Sequence, residues 1–288
     1  MVETNITFTL DGPKLKEAVP LLDVLVSLQE FHYIIDKAYL STTKSKRISS
    51  NDRKYYSIIA TDFKKGSFIT ELQLFAVATV QTLPNIPGAT YKDIWTVAKG
   101  SYDFLKALAE KRSGGVEPII NITGNVNAPI IIGNQITISE TVFNSADRSE
   151  PNFKKITSVI KPGEIDLISS FDSDGVGFEL TEKDKNLFNP KTTLDKEVFT
   201  IECDIYKYDK ISRAGRMQVF ERQSIPPREY PFKPVRSSDS YLFIQAMAKR
   251  SVKVNVMKEI EIHTTGVERI AALRVVSIDD FKMPGLFD

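Results

Sequence analysis

Val198-Phe199-Thr200-Ile201-Glu202-Cys203-Asp204-Ile205-Tyr206-Lys207-Tyr208 alternates apolar and polar side chains almost without interruption. Period two is the pattern of a strand with one face in a core and the other in water. Arg213-Ala214-Gly215-Arg216 then turns the chain into a second strand, Met217-Gln218-Val219-Phe220. A short helix is predicted from Asp239 to Ala248, capped by Ser237 or Ser238. Two closing strands follow, Val252 to Ile262 and Ile270 to Ile278, joined through Thr264-Thr265-Gly266. Four or five strands with one helix inserted before the last pair is the pattern of a small β-barrel. Oligosaccharide/oligonucleotide-binding (OB) and SH3-like barrels are its commonest versions. Residues 195–288 are therefore read as a small β-barrel domain.

Upstream, residues 116–194 read as a strand-rich connector. Ile119-Ile120-Asn121-Ile122 and Ile130-Ile131-Ile132 are short apolar strands separated by Gly/Asn turns, and Ile136-Thr137-Ile138 makes a third. Pro151, Pro162-Gly163 and the Ser169 to Asp174 cluster mark loops, with a short helix expected from Asn152 to Val159. Residues 1–115 read β-α-β-β-α, for which a two-layer α/β sandwich is the natural packing. The first strand, Ile6 to Leu10, ends at Asp11-Gly12-Pro13, and Pro20 opens a helix striped by Leu21, Leu25, Leu28, Phe31 and Ile35. A hairpin follows, turning at Lys64-Lys65-Gly66-Ser67. The second helix runs from Tyr91 to Lys111 and stops at Gly114-Gly115. The fold class is α+β.

Composition bounds the setting. Of 288 residues, 42% are apolar and 26% charged, which suits a globular chain rather than a disordered one. No apolar run approaches the ~20 residues that cross a bilayer, and no secretory leader is legible at the start. A single cysteine, Cys203, excludes an intrachain disulfide and fits the cytoplasm. Flanked by Glu202 and Asp204 in a strand, it reads as a buried structural thiol. Net charge is +1, so attraction to nucleic acid has to come from local patches.

Catalytic apparatus is hard to find. There are two histidines, His32 and His263, and no zinc spacing, nucleophile elbow, phosphate loop or dinucleotide fingerprint. Asp166, Asp172 and Asp174 lie near Gly175 and Gly177, but no Glu closes a calcium loop, and a solvated turn is the better reading. Neither catalytic residues nor a cofactor nor a metal is expected.

Basic residues interleaved with aromatics are the candidate partner site. Tyr206, Tyr208, Arg213, Arg216 and Arg222 fall on or beside the barrel strands, where guanidinium groups track phosphates and tyrosines stack on bases of a single-stranded nucleic acid. Tyr206 and Tyr208, two positions apart, are expected on one face. A second basic patch holds Arg47 and Lys54, opposed only by Asp52. The pair Ile122-Thr123-Gly124-Asn125-Val126 and Ile130-Ile131-Ile132-Gly133-Asn134 resembles connectors in bacterial proteins of phage-conflict and mobile-element loci. The layout of an α/β domain followed by a small barrel is similar to that of uncharacterised bacterial two-domain families. The resemblance implies a setting of bacterial–phage conflict. The expected function is a non-catalytic, cytoplasmic interaction protein that binds another protein or assembles with its own copies, with no membrane partner. Nucleic-acid binding by the barrel is the alternative.

Overall fold

The structure, a computed structural model, describes residues 4–279 apart from 19, 56, 65–67, 76–89, 125–127, 189–190 and 236–239. The expected hairpin turn at Lys65-Gly66-Ser67 and the caps Ser237 and Ser238 lie outside the described residues. The chain divides into two compact units, Met1–Asn189 and Pro190–Asp288.

Unit one begins with β1 (Thr4–Asp11), α1 (Pro13–Glu17), α2 (Leu21–Thr42), α3 (Asp52–Tyr55), β2 (Ser57–Lys64), β3 (Phe68–Phe75) and α4 (Tyr91–Ser113). It continues through β4 (Ile119–Thr123), β5 (Ile130–Ile132), β6 (Gln135–Ser139), α5 (Glu140–Ser158), β7 (Leu167–Asp172) and β8 (Gly177–Thr181). The main sheet has the order β2-β3-β1-β7-β8, with every neighbour antiparallel. On β1 the alternation places Ile6, Phe8 and Leu10 fully in the core. Reciprocal bonds between Thr90 and Asp93 cap α4 at its start, and Gly115, at φ 77°, follows its end.

The structure departs from the expected connector. Residues 116–189 complete unit one instead of linking two domains. β7 lies beside β1, with Phe8 opposite Ser170 and Leu10 opposite Ile168. Without β7 and β8, one edge of β1 and the aromatic side of the helices would face water. Phe178 on β8 meets Phe31 of α2 at 6.4 Å, Trp95 and Tyr102 of α4 at 5.9 and 5.0 Å, and Phe153 of α5 at 5.7 Å. Trp95 Nε1 donates to Val176 O (2.9 Å) and the Tyr102 hydroxyl to Glu179 O (2.6 Å). The helix expected from Asn152 starts much earlier, at Glu140, behind the cap Ser139, and continues through Pro151. Its buried stripe of Val142, Ala146, Phe153 and Ile156 spans the proline, so packing overrides the local break.

Unit two is the barrel. It comprises β9 (Lys191–Leu194), β10 (Phe199–Asp209), β11 (Ala214–Val219), β12 (Glu229–Pro234), α6 (Ser240–Ala246), β13 (Val252–Ile262) and β14 (Glu268–Ile278). The sheet runs β10-β11-β12-β14-β13, and β10 pairs back onto β13 from Phe199↔Val256 to Cys203↔Val252, closing five strands. β12 and β14 are parallel, and α6 falls between the third and fourth barrel strands. This strand order and helix position are those of an OB-fold barrel. β9 adds to the far half of β13. Ile201, Cys203 and Ile205 point inward from β10 to meet Met217, Val219, Phe232, Val254 and Leu273. α6 adds Phe243 to this core, its ring 5.2 Å from Phe232.

Trp95 is the chain's one tryptophan and is fully buried beside Phe178, so its fluorescence reports unit one. Phe178→Ala is expected to destabilise this unit by about 3–5 kcal/mol, read as a urea midpoint shift in tryptophan emission. Residues 1–189 are expected to unfold cooperatively, and residues 1–115 to lack a cooperative transition.

Candidate interaction surfaces

The first surface is a three-stranded sheet in unit one, ordered β4-β6-β5, with β4–β6 parallel and β5–β6 antiparallel. Its middle strand is anchored by Ile136 and Ile138, both fully buried. The outer strands are not. Ile119, Ile122, Ile130 and Ile131 are 49–57% exposed, and Ile132 is 72% exposed. Ile131 lies opposite Ile136 on the inward face, while Ile130 and Ile132 lie opposite Thr137 and Gln135 on the other. Both faces of β5 are therefore wet. Lys111 Nζ donates to Gly133 O (2.6 Å) and Ile119 N to Asn134 O (2.9 Å), fixing the β5–β6 turn.

The signal that marks this sheet in the sequence is charge, not periodicity. Residues 118–139 contain no Asp, Glu, Lys or Arg. At 26% charged composition, such a run would ordinarily carry about six. Globular chains place charge on exposed, edge-forming strands to keep them from pairing, and here that safeguard is absent.

The second surface is the barrel. A β-bulge between Ile205 and Lys207 breaks the expected alternation, so Tyr206 faces out while Tyr208 turns in. The two tyrosines do not share a face, which corrects the expectation from their spacing. Tyr208 stacks on Phe243 (5.0 Å) and shares a hydrogen bond with Ser240 (3.0 Å). Arg216 is paired with Glu229, and the Tyr206 hydroxyl hydrogen-bonds the same carboxylate. These two partners hold Glu229 below the usual carboxylate range. Arg213 is exposed at φ 52° on the β10–β11 hairpin tip, and Arg222, at φ 63°, lies past the other end of β11. A strand of that length spans about 20 Å, so they are not one cluster. Gly215 is buried in β11, where a Cβ would stand 2.4 Å from Lys207 O and from the Phe232 ring. Its missing side chain makes room for core packing rather than for a ligand. The tip itself is ordered by Asp209, which accepts from Ile211 N (2.8 Å) and Ser212 Oγ (2.9 Å). Ile211 at that tip is 96% exposed.

The basic loop after α2 is more tightly engaged than its sequence suggests. Arg47 is exposed; Lys54 belongs to α3, and its side chain lies outside the described residues. Asp52 is not the sole acid nearby. Arg53 grips the buried Asp36 of α2 through Nη1–Oδ1 (3.0 Å) and Nη2–Oδ2 (2.6 Å), with His32 Nε2 at 3.4 Å. Asp52 accepts from Ser49 N (2.6 Å) and from the Tyr39 hydroxyl (2.9 Å), tying the loop to α2.

The aspartates considered for a metal have structural partners. Asp172 Oδ1 accepts from Asp174 N (3.0 Å) and Val176 N (2.8 Å), Asp174 pairs with Lys92 (2.6 Å), and Asp166 accepts from Gly163 N (2.9 Å). Among the described residues, no three His, Cys, Asp or Glu side chains converge as metal ligands. Cys203 is buried in the barrel, and burial, with Asp204 and Glu202 beside it, pushes its thiol up to about 12. Among the described residues, no helix is long and apolar enough to cross a membrane. Compared with known proteins, the chain matches no protein-family model, no curated protein and no solved structure.

The Asp36 site yields a pH test. Burial works against its charge, but hydrogen bonds and charge from His32 and Arg53 outweigh burial and hold the carboxyl below its ordinary 3.8. A folded pKa below the unfolded one gives stability that is present above the unfolded value and lost as pH falls through the folded value. With Arg53 38% exposed, solvent screening puts the loss in Arg53→Ala near the low end of roughly 1–3 kcal/mol at neutral pH. Urea unfolding should show that deficit shrinking as pH falls below the ordinary 3.8 and the carboxyl protonates; a deficit independent of pH would contradict the pairing.

Proposed function

We propose that this chain is a non-catalytic interaction protein of the cytoplasm that docks on another protein, or on its own copies, through the β4-β6-β5 sheet. The observation that supports this reading is the set of five exposed isoleucines on strands carrying no charge. Fully burying a wholly exposed side chain of this kind gains roughly 1.5–3 kcal/mol and covering a half-exposed one about half of that, so several together make an effective anchor. The edge of β5 adds main-chain donors and acceptors that a partner strand can use. The setting we propose is bacterial–phage conflict, supported by the resemblance of the connector segment.

The test is retention of host proteins on immobilised wild-type chain and on the Ile130→Lys/Ile132→Lys variant. Both positions are exposed, so the variant is expected to fold. A bound protein should be lost by at least about tenfold, since 1.4 kcal/mol is a factor of ten. Identical profiles for the two chains, together with a monomeric wild type in solution, would contradict the reading.

A second reading, nucleic-acid binding, is favoured by the OB strand order together with the hairpin tip. Lys210 and Arg213 flank the exposed Ile211 there, whereas Arg216 is already neutralised by Glu229. Fold alone does not confer this function. In fluorescence anisotropy with a labelled single-stranded oligonucleotide, Lys210→Ala/Arg213→Ala should weaken binding and reduce the salt slope by about 1.4, while Arg47→Ala leaves both unchanged. No binding by the wild type at low salt would end this reading.

A further inference from the structure

Among the described residues, the sheet stops at β5. Its inner edge pairs with β6, and no described strand pairs with its outer edge. All three side chains, Ile130, Ile131 and Ile132, are half exposed or more. β4, the other edge, keeps Ile120 and Asn121 partly buried. β5 therefore offers a strand edge and two apolar faces together.

An isoleucine triplet has a particular symmetry. Set antiparallel to a copy of itself about a twofold axis at its middle residue, it places Ile131 opposite Ile131, and Ile130 opposite Ile132. Every cross-strand pair is then isoleucine with isoleucine, a β-branched pair suited to a sheet. Residues 118–139 carry no charge, and the nearby Lys111 ammonium, bonded to Gly133 O, lies at the Ile132 end, which the twofold sets opposite Ile130 rather than against its own copy. For an unrelated partner a matching surface would have to be assumed; a second copy supplies it by construction.

We propose that β5 pairs antiparallel with β5 of a second copy about a twofold axis through Ile131, giving a continuous sheet ordered β4-β6-β5-β5-β6-β4. This rests on the reading of the isoleucine sheet as the docking surface and names its partner. The contact is small, since only three residues a side form the ladder, so the dimer is expected to dissociate on dilution.

Two measurements test it on the full chain. In sedimentation velocity across a micromolar concentration series, wild type should pass from one to two chains per particle, and Ile132→Lys should stay at one. Site-specific oxidation then reads the register. Cys203 is buried, so Ile131→Cys introduces the accessible thiol. Across the twofold those thiols face each other within disulfide reach, and a covalent dimer should form. Ile132→Cys faces Ile130 of the copy and Ile119→Cys lies on β4, so both should cross-link at least several-fold less. Unchanged Trp95 fluorescence and urea midpoint establish that each variant is folded. A monomer at every concentration overturns the proposal, as does a dimer that survives Ile132→Lys or cross-links no better through Ile131→Cys than through Ile119→Cys. If wild type is monomeric yet a host protein is still lost from the Ile130→Lys/Ile132→Lys beads, the docking surface stands with a different partner. If neither effect appears, both readings fail.

Discussion

Phe178 is the side chain on which unit one depends. Its ring lies against aromatic rings from all three long helices, so one residue on β8 fixes α2, α4 and α5 over the sheet at once. Ring pairs at such separations contribute beyond their buried area, and here they share one centre. The strand that carries Phe178 is itself held by β7, and β7 by β1. Residues near each end of a 189-residue unit must therefore come together before either half is stable. Long-range antiparallel pairing of this kind carries a loop-closure cost that local helices avoid, and it marks the unit as one cooperative body.

Against that background the isoleucine sheet, like Leu21, Leu22 and Leu25 at the start of α2, leaves apolar side chains in water. Elsewhere in the unit, several buried polar groups find partners across elements. Glu30 of α2 accepts from Asn152 (2.6 Å) and Lys155 (3.0 Å) of α5, Ser101 bonds Ser145 (2.8 Å), and Asp36 holds Arg53. The β4-β6-β5 sheet inverts the pattern, with apolar groups outside and no charge on its own strands. Its inward half is ordinary core, since Ile136 and Ile138 are fully buried. Its outward half resembles a core cut open. In the barrel, by contrast, two arginines are answered locally, as Glu229 answers Arg216 and Glu259 answers Arg274 at 2.7 Å.

Much of the fold is legible in local pattern. The alternation of β10, the helix from Tyr91 and the paired closing strands β13 and β14 all follow from period and punctuation, because each is decided within a dozen residues. The mixed α+β class with a C-terminal barrel follows from them. What escapes local reading is set by distant partners. Ser169 to Asp174 looks like a loop because Ser169, Ser170 and Asp172 are polar, yet pairing with β1 makes Ser169 to Asp172 part of a strand and leaves only Ser173 and Asp174 in the turn. Pro151 signals a break that buried Phe153 and Ile156 overrule. The site residues show the same division. Spacing cannot reveal the bulge that separates Tyr206 from Tyr208, nor the cross-strand carboxylate that occupies Arg216. The apolar strands at Ile119 to Ile122 and Ile130 to Ile138 are visible in the sequence, but only the structure distinguishes buried Ile136 and Ile138 from their exposed neighbours.

The central claim is that β5 presents an edge meant to be covered by another strand. Amide hydrogen exchange resolved at Ile130, Ile131 and Ile132, followed as a function of protein concentration, addresses it most directly. Pairing of β5 edges predicts that the amides among these that point away from β6 become slower as concentration rises, while those already directed at β6, like the amides of β6 itself, keep their rates. Exchange of the outward-directed amides that is fast and independent of concentration, with or without host extract, would contradict the account.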